Sequence, residues 1–257
     1  MLKLGAYGLI RIALPLFPEP FHYFVVQVPI ILVMAVMSIV YGALVCMAQW
    51  DFKRLIAYSS VTHMGYVTLG VSAAAASVGA LDSAEAISAA ASGLNGAAMQ
   101  MFTHGIVTGG LFFLVGIIYD RTHTRDLKAL GGLANQIPYY YGITLVTSFA
   151  SLGLPGLAGF WSEFFVFRGA MRFIPVAAFI GALGVVFTAA YVLWKIVQHI
   201  FLGTFDEEKW GKLPDMEWWE KVTMWPLVAI MVVIGFYPTL LLDTFNSAMM
   251  ALLNRLP

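Results

Sequence analysis

Seven long apolar runs dominate this sequence, and runs of that kind leave few folds open. They are Leu2–Leu16, Phe24–Ala48, Leu55–Ala76, Leu94–Ile118, Tyr139–Phe167, Ile174–Leu202 and Val222–Leu242. A bilayer core takes about 20 apolar residues per helix. The runs are continuous rather than alternating, which excludes strands. Composition agrees: 60% of the 257 residues are hydrophobic and 11% charged, with mean hydropathy +0.83, whereas a soluble domain carries roughly 25% charge. Too little polar surface remains for a water-facing exterior. A soluble enzyme, a nucleic-acid binder and a disordered chain are therefore excluded. The expected class is an all-α, polytopic membrane helix bundle, about seven spans in a single membrane domain over residues 1–257.

Charge placement orients that bundle. Lys53, Arg54, Arg121, Arg125, Lys128, Lys209, Lys212 and Lys221 fall on one side of a seven-span arrangement, and only Arg168, Arg172 and Arg255 on the other. The richer side is expected in the cytoplasm, which puts the C-terminus outside an inner (plasma) membrane. Acids and bases balance at 14 each, so net charge points to no partner. The single cysteine, Cys46, excludes a disulfide framework, a zinc cluster or an all-cysteine iron–sulfur site within the chain. Met1 opens no signal peptide, and the first apolar run begins almost at once. A fragment, a split gene product or a chain dependent on a neighbour is expected. Ser72–Gly96, rich in Ala, Ser and Gly, reads as an outward loop, with or without a short surface helix. Asp206–Lys221 reads as a solvated face or a subunit contact, and the tail Thr239–Leu256 as a segment along the interface.

Charge inside a bilayer costs about 2.5–3.5 kcal/mol on insertion scales, so an intramembrane ionisable residue asks for a role. Glu163 is the one acid away from loops and helix ends. Either it pairs with Arg168 near the outer end of its helix, or it is a proton site. The stretch just upstream, Leu152-Gly153-Leu154-Pro155-Gly156-Leu157-Ala158-Gly159, favours the second reading. Pro155 removes a backbone donor while Gly153 and Gly156 loosen the chain. The run is also longer than one crossing needs. A discontinuous helix is expected, of the sort that builds ion sites at membrane depth, with a simple proline kink as the alternative.

His63 lies about 12 Å along its helix and His104 about 15 Å into the next, taking 1.5 Å per residue. Each suits a hydrogen bond to a neighbouring helix. Together, with Ser59, Ser60, Thr62, Thr103 and Thr108 nearby, they suit a hydrated relay, because an unperturbed imidazole titrates at about 6.5. Lys195 either snorkels to the surface or joins the path. Lys3 and Arg11 sit too close to the chain start for hydropathy to place them.

Four motifs then carry a resemblance. They are Asp51-Phe52-Lys53-Arg54-Leu55-Ile56-Ala57-Tyr58-Ser59-Ser60-Val61-Thr62-His63-Met64-Gly65-Tyr66, Met101-Phe102-Thr103-His104-Gly105, Tyr119-Asp120-Arg121-Thr122-His123-Thr124-Arg125, and Leu152–Gly159 continued by Phe160-Trp161-Ser162-Glu163-Phe164. This set resembles the antiporter-like membrane subunits of the proton-pumping NADH:quinone oxidoreductase, respiratory complex I, and the subunit M (chain 4) branch fits best. Sibling branches place a lysine at the Glu163 position or a glutamine at the His63 position. The resemblance implies a fold of fourteen helices with two inverted five-helix repeats, of which this chain resembles the second half. Residues 1–16 would close the first repeat, 24–202 would form the second, and 222–257 the final helix and tail.

By the same resemblance, Lys3 matches the central-axis lysine, His63 and His104 the connecting histidines, and Glu163 the glutamate on the broken helix where protons leave. Lys195 has no firm counterpart. The implied function is a non-redox, proton-translocating subunit driven by redox chemistry elsewhere. It would hold no flavin, iron–sulfur cluster, nucleotide or quinone. Its partners would be other membrane subunits, lipid, protons and a separate N-terminal half. Rival readings are a multi-subunit cation/proton antiporter, a membrane-bound hydrogenase module and a structural scaffold with no active path.

Overall fold

The computed structural model describes residues 2–256. Ten helices run through them: α1 Leu2–Leu16, α2 Pro18–Gln27, α3 Ile30–Ala48, α4 Phe52–Ala76, α5 Ala84–Thr122, α6 Pro138–Leu152, α7 Ala158–Phe173, α8 Pro175–Phe201, α9 Trp218–Phe236 and α10 Thr239–Leu253. A single turn, Glu207–Trp210, interrupts the loop before α9. No strand occurs among the described residues. The chain is an all-helical, multi-pass membrane bundle. By length and composition α3, α5, α8 and α9 each suffice to cross a bilayer, and α1 with α2 form a pair bent by 119°.

Local chemistry sets the helix boundaries, and three of the seven apolar runs break where it acts. Pro29 separates α2 from α3, so the run Phe24–Ala48 crosses only from Ile30. Gly153, Pro155 and Gly156 lie in the break between α6 and α7. Pro238 ends the last run at Phe236 and starts α10. Elsewhere side chains take up the free backbone donors of the first turn. Asp51 accepts from the Arg54 amide at 2.9 Å, and Ser83 from the Ala86 amide at 3.2 Å.

The supposed loop Ser72–Gly96 is mostly helix. Only residues 77–83 lie outside α4 and α5. Alanine is the best helix former and here also the best packer. Small side chains let α4, α5 and α7 approach until backbones touch, the packing mode of membrane interiors. A Cβ on Gly96 would stand 2.8 Å from the Ser162 carbonyl and 2.9 Å from the Phe165 carbonyl carbon. His104 therefore lies about 30 Å from the start of α5, twice the depth read from the apolar run alone.

Those three helices form the centre. α3 and α8 cover one flank, α6 and α9 the other, and α10 lies against α5. The tail is thus partly packed rather than laid flat: Leu252 and Leu253 are buried, and Asn95 Nδ2 donates to Asn246 Oδ1 at 2.8 Å. Large apolar side chains such as Leu4, Met34, Phe179, Val186 and Phe236 point outward, a surface that lipid tolerates and water does not.

One end of the bundle is pinned by a buried ion pair. Arg121, in the last turn of α5, donates two hydrogen bonds to Glu220, at 2.6 and 2.8 Å, and others to the carbonyls of Pro214 and Asp215. The Asp215 carboxylate accepts from the Tyr139 and Tyr140 amides and so caps α6. Part of the segment read as a solvated face is therefore structural.

Candidate functional site

The site forms where α4, α5 and the α6–α7 break meet. Gly153 ends α6 in the left-handed region at φ +79°, and Gly156 turns the chain again at φ +90°. An L side chain costs about 1–2 kcal/mol in that conformation, which glycine escapes. Across the break, α9 presses Gly235 against the Gly156 carbonyl, and Trp161 Nε1 donates to the Gly235 carbonyl at 2.8 Å. The interruption lies against protein, the condition for exposed backbone at membrane depth.

Glu163, in the second turn of α7, is 7% exposed. Its carboxylate leans over Gly153, where a Cβ would sit only 2.7 Å from Oε2. Its other oxygen, Oε1, lies 3.6 Å from His63 Nδ1. The alternative partner, Arg168, turns away and donates to Ser88 Oγ at 3.2 Å. His63 is held from both sides: Nε2 is 3.1 Å from Ser151 Oγ, and Gln100 Nε2 is 3.1 Å from Nδ1. Gln100 in turn accepts from Ser162 Oγ, which also meets Thr103 Oγ1 at 3.3 Å.

The second histidine completes the group. The rings of His63 and His104 lie 5.4 Å apart between centroids. His104 is 3% exposed, yet among the described residues neither of its nitrogens has a hydrogen-bond partner. A buried imidazole without partners is costly. Beside it lies a cavity of about 10 Å³, lined among others by His63, His104, Thr108, Ser151 and Glu163. That is room for about one water, with enough polar groups to hold it. Lys3 stands on the flank of this row. It is half-buried, and its Cε reaches the Gly105 face of α5, one residue past His104. Lys3 and Arg11 line an open groove of about 610 Å³ between α1, α5 and α10.

The fold thus brings together His63, His104 and Glu163 and keeps Lys3 beside them, while Lys195 lies elsewhere. It does not snorkel: it is fully buried, with Nζ donating to the Gln49 carbonyl at 2.7 Å. Ser59 and Ser60 both return their hydroxyls to the Ile56 carbonyl and leave the cavity to others. Sequence reasoning missed Gln100, Ser151 and Ser162. Gln100 was within reach of it, since 100, 103, 104, 107 and 108 share one helical face. Ser151 and Ser162 give no such signal, because only the break brings them near His63 and Gln100.

The fold and site together are those of a multi-pass membrane bundle that gathers a carboxylate and two imidazoles at an interrupted helix. The chain belongs to the NADH:quinone oxidoreductase/Mrp antiporter transmembrane family, whose profile matches residues 1–188. It is 38% identical over 255 residues to NADH-quinone oxidoreductase subunit M of Rhodobacter capsulatus, covering 99% of this chain and 46% of that protein. It is also 38% identical to NAD(P)H-quinone oxidoreductase chain 4 1 of Synechococcus elongatus, covering 98% and 45%. Among solved structures, a chain of respiratory complex I from Thermus thermophilus with bound NADH superposes with a TM-score of 0.80 at 31% identity, over 98% of this chain and 50% of that one. The chain spans about half the length of the curated relatives it matches.

Proposed function

We propose that this chain is the proton-translocating C-terminal half of a subunit M-type protein in an NADH:quinone oxidoreductase, acting as a non-redox translocase. The carrying observation is the His63–Glu163 approach of 3.6 Å beside the unpartnered His104. In this reading protons pass along Lys3, His104, His63 and Glu163. Redox chemistry in partner subunits changes the charge at one end of the row. Each protonation then alters the electrostatic free energy of the next group, as charges a few ångströms apart in a low-dielectric interior must. Water in the small cavity that both imidazoles line bridges them in this reading. Gln100 and Ser151 fix the His63 ring while its proton is exchanged. The Trp50 and Arg121 end of the bundle faces the cytoplasm in an inner (plasma) membrane, the C-terminus faces outward, and a separate N-terminal half and further membrane subunits pack against the exposed apolar faces.

Glu163→Gln in the assembled complex is the test, with proton movement in sealed vesicles read against quinone reduction. A conductor loses most of its proton transfer, whereas a scaffold keeps all of it. The family name admits a cation/proton antiporter as a second reading; transport that depends on sodium would select it.

A further inference from the structure

Lys195 poses a question that the His63–Glu163 site does not answer. Its ammonium is wholly buried, yet among the described residues no carboxylate lies within ion-pairing distance of it. Its surroundings are one carbonyl, that of Gln49 at 2.7 Å, and two indoles, with Nζ 3.5 Å from the Trp50 ring centre and 4.9 Å from that of Trp194. An ammonium has three donors, so a single hydrogen bond and two π faces satisfy it only in part. The last ten residues of α8, Val192–Phe201, are π-helical, a rare form frequent at functional sites, which also occurs at Leu9–Ala13 and Tyr23–Gln27.

Lys195 also ends a row. Gly184, Thr188, Tyr191 and Lys195 follow at four-, three- and four-residue spacing on one face of α8, and the last three are buried. Among the described residues the hydroxyls of Thr188, Tyr191 and, on α4, Tyr66 make no well-formed hydrogen bond, and that of Tyr191 lies close to those of Thr188 and Ser59. Tyr66 reaches this face: its Oη would lie 3.1 Å from a Cβ on Gly184. Its ring is 6.2 Å from that of His63. Three buried hydroxyls without a well-formed hydrogen bond are costly unless water joins them. At the far end Lys195 and exposed Lys128 both lie against the Trp50 indole, Lys128 at 4.6 Å from the ring centre, and Trp50 and Lys128 line an open groove of about 410 Å³.

We propose that Tyr66, Tyr191 and Lys195 form a second branch of the relay, leading from the Trp50 end of the bundle to the His63–Glu163 pair, with Lys195 as its outermost proton carrier. The branch rests on the reading of Glu163 as a proton site. The neutral Lys195 amine takes a proton from hydronium in the groove, forming an N–H bond and leaving water. It passes that proton to the hydroxyl row. Each hydroxyl accepts on its oxygen and releases its own proton onward, and the Glu163 carboxylate receives the last.

The rival role is mechanical, with Lys195 pinning the α3–α4 turn to α8. Arginine separates the two, because it keeps the charge, the hydrogen bond and the stacking but never releases its proton. In sealed vesicles holding the assembled complex, Lys195→Met and Lys195→Arg should both slow proton transfer per electron about tenfold, a modest loss for a group that exchanges protons. Tyr191→Phe, which removes one oxygen and leaves the Lys195 contacts alone, should slow it too. A normal rate in Lys195→Arg overturns the branch. So does a normal rate in Tyr191→Phe, which decides the matter if the Lys195 variants fail to assemble. Glu163→Gln run alongside tells the failures apart: if it pumps normally the whole relay falls, and if it is slow while Lys195→Arg is normal only the branch falls.

Discussion

Gly153→Ala tests the point where backbone geometry and proposed chemistry meet. At φ +79° an alanine costs about 1–2 kcal/mol of backbone strain. Its Cβ would also stand 2.7 Å from Glu163 Oε2, where ordinary contact needs 3.4 Å or more. The carboxylate is the free end of a flexible side chain, so it yields by about 0.7 Å before the helices do. Were that whole displacement to fall along the Oε1–Nδ1 line, the 3.6 Å approach to His63 would open to about 4.3 Å, the upper limit of the effect. At an effective dielectric near 20 the attraction then falls from about 4.6 to about 3.9 kcal/mol, roughly threefold in the equilibrium of a shared proton. The assay is proton transfer per electron in sealed vesicles, normalised to assembled complex. Gly153→Ala should assemble less well and pump more slowly, by up to about threefold. Gly153→Asn, which tolerates the left-handed conformation but carries the same Cβ, should recover assembly without recovering rate. If both variants pump at the normal rate per assembled complex, the carboxylate's position over Gly153 is irrelevant and the reasoning fails.

Other outcomes follow from packing and charge. Gly96→Ala drives a Cβ into the backbone of α7, which cannot give way, so about 1–3 kcal/mol of stability should go. Gly109→Ala on the same helix meets nothing within 4 Å and should leave the amount of protein in the membrane unchanged; equal levels for the two would refute the close approach. Glu220→Leu strands the Arg121 guanidinium in its pocket, at a cost of about 3–5 kcal/mol for an unpaired buried charge. A large drop in the melting temperature of the detergent-solubilised protein is expected, and an unchanged one would show the ion pair idle. Glu163→Gln should remove most proton transfer while the protein still reaches the membrane, since it deletes one titratable group and almost no volume.

Some of the site was legible in the chain and some was not, for reasons visible at single residues. Glu163, His63 and His104 stood out because an ionisable side chain in an apolar run contradicts its surroundings. Gln100 was passed over because an uncharged amide does not. Ser151 and Ser162 carry no local mark, and what recruits them is the chain reversal at Gly153 and Gly156. Lys195 was left open between the surface and the path because hydropathy locates a residue along a helix but not around it. The Ala- and Ser-rich stretch misled in the opposite sense. Low hydropathy suggested a loop, whereas small side chains are what tight helix packing inside a membrane uses.

By itself the sequence determined the class of protein, because a surplus of apolar residues in long runs can be satisfied only by lipid and by internally hydrogen-bonded helices. It also determined where helices stop, since proline and glycine act through the backbone of their own neighbourhood. Which titratable groups meet was decided by tertiary structure alone. His63 and Glu163 are a hundred residues apart in the chain, and a 3.6 Å approach depends on glycine-lined contacts among α4, α5 and α7 that no local pattern encodes.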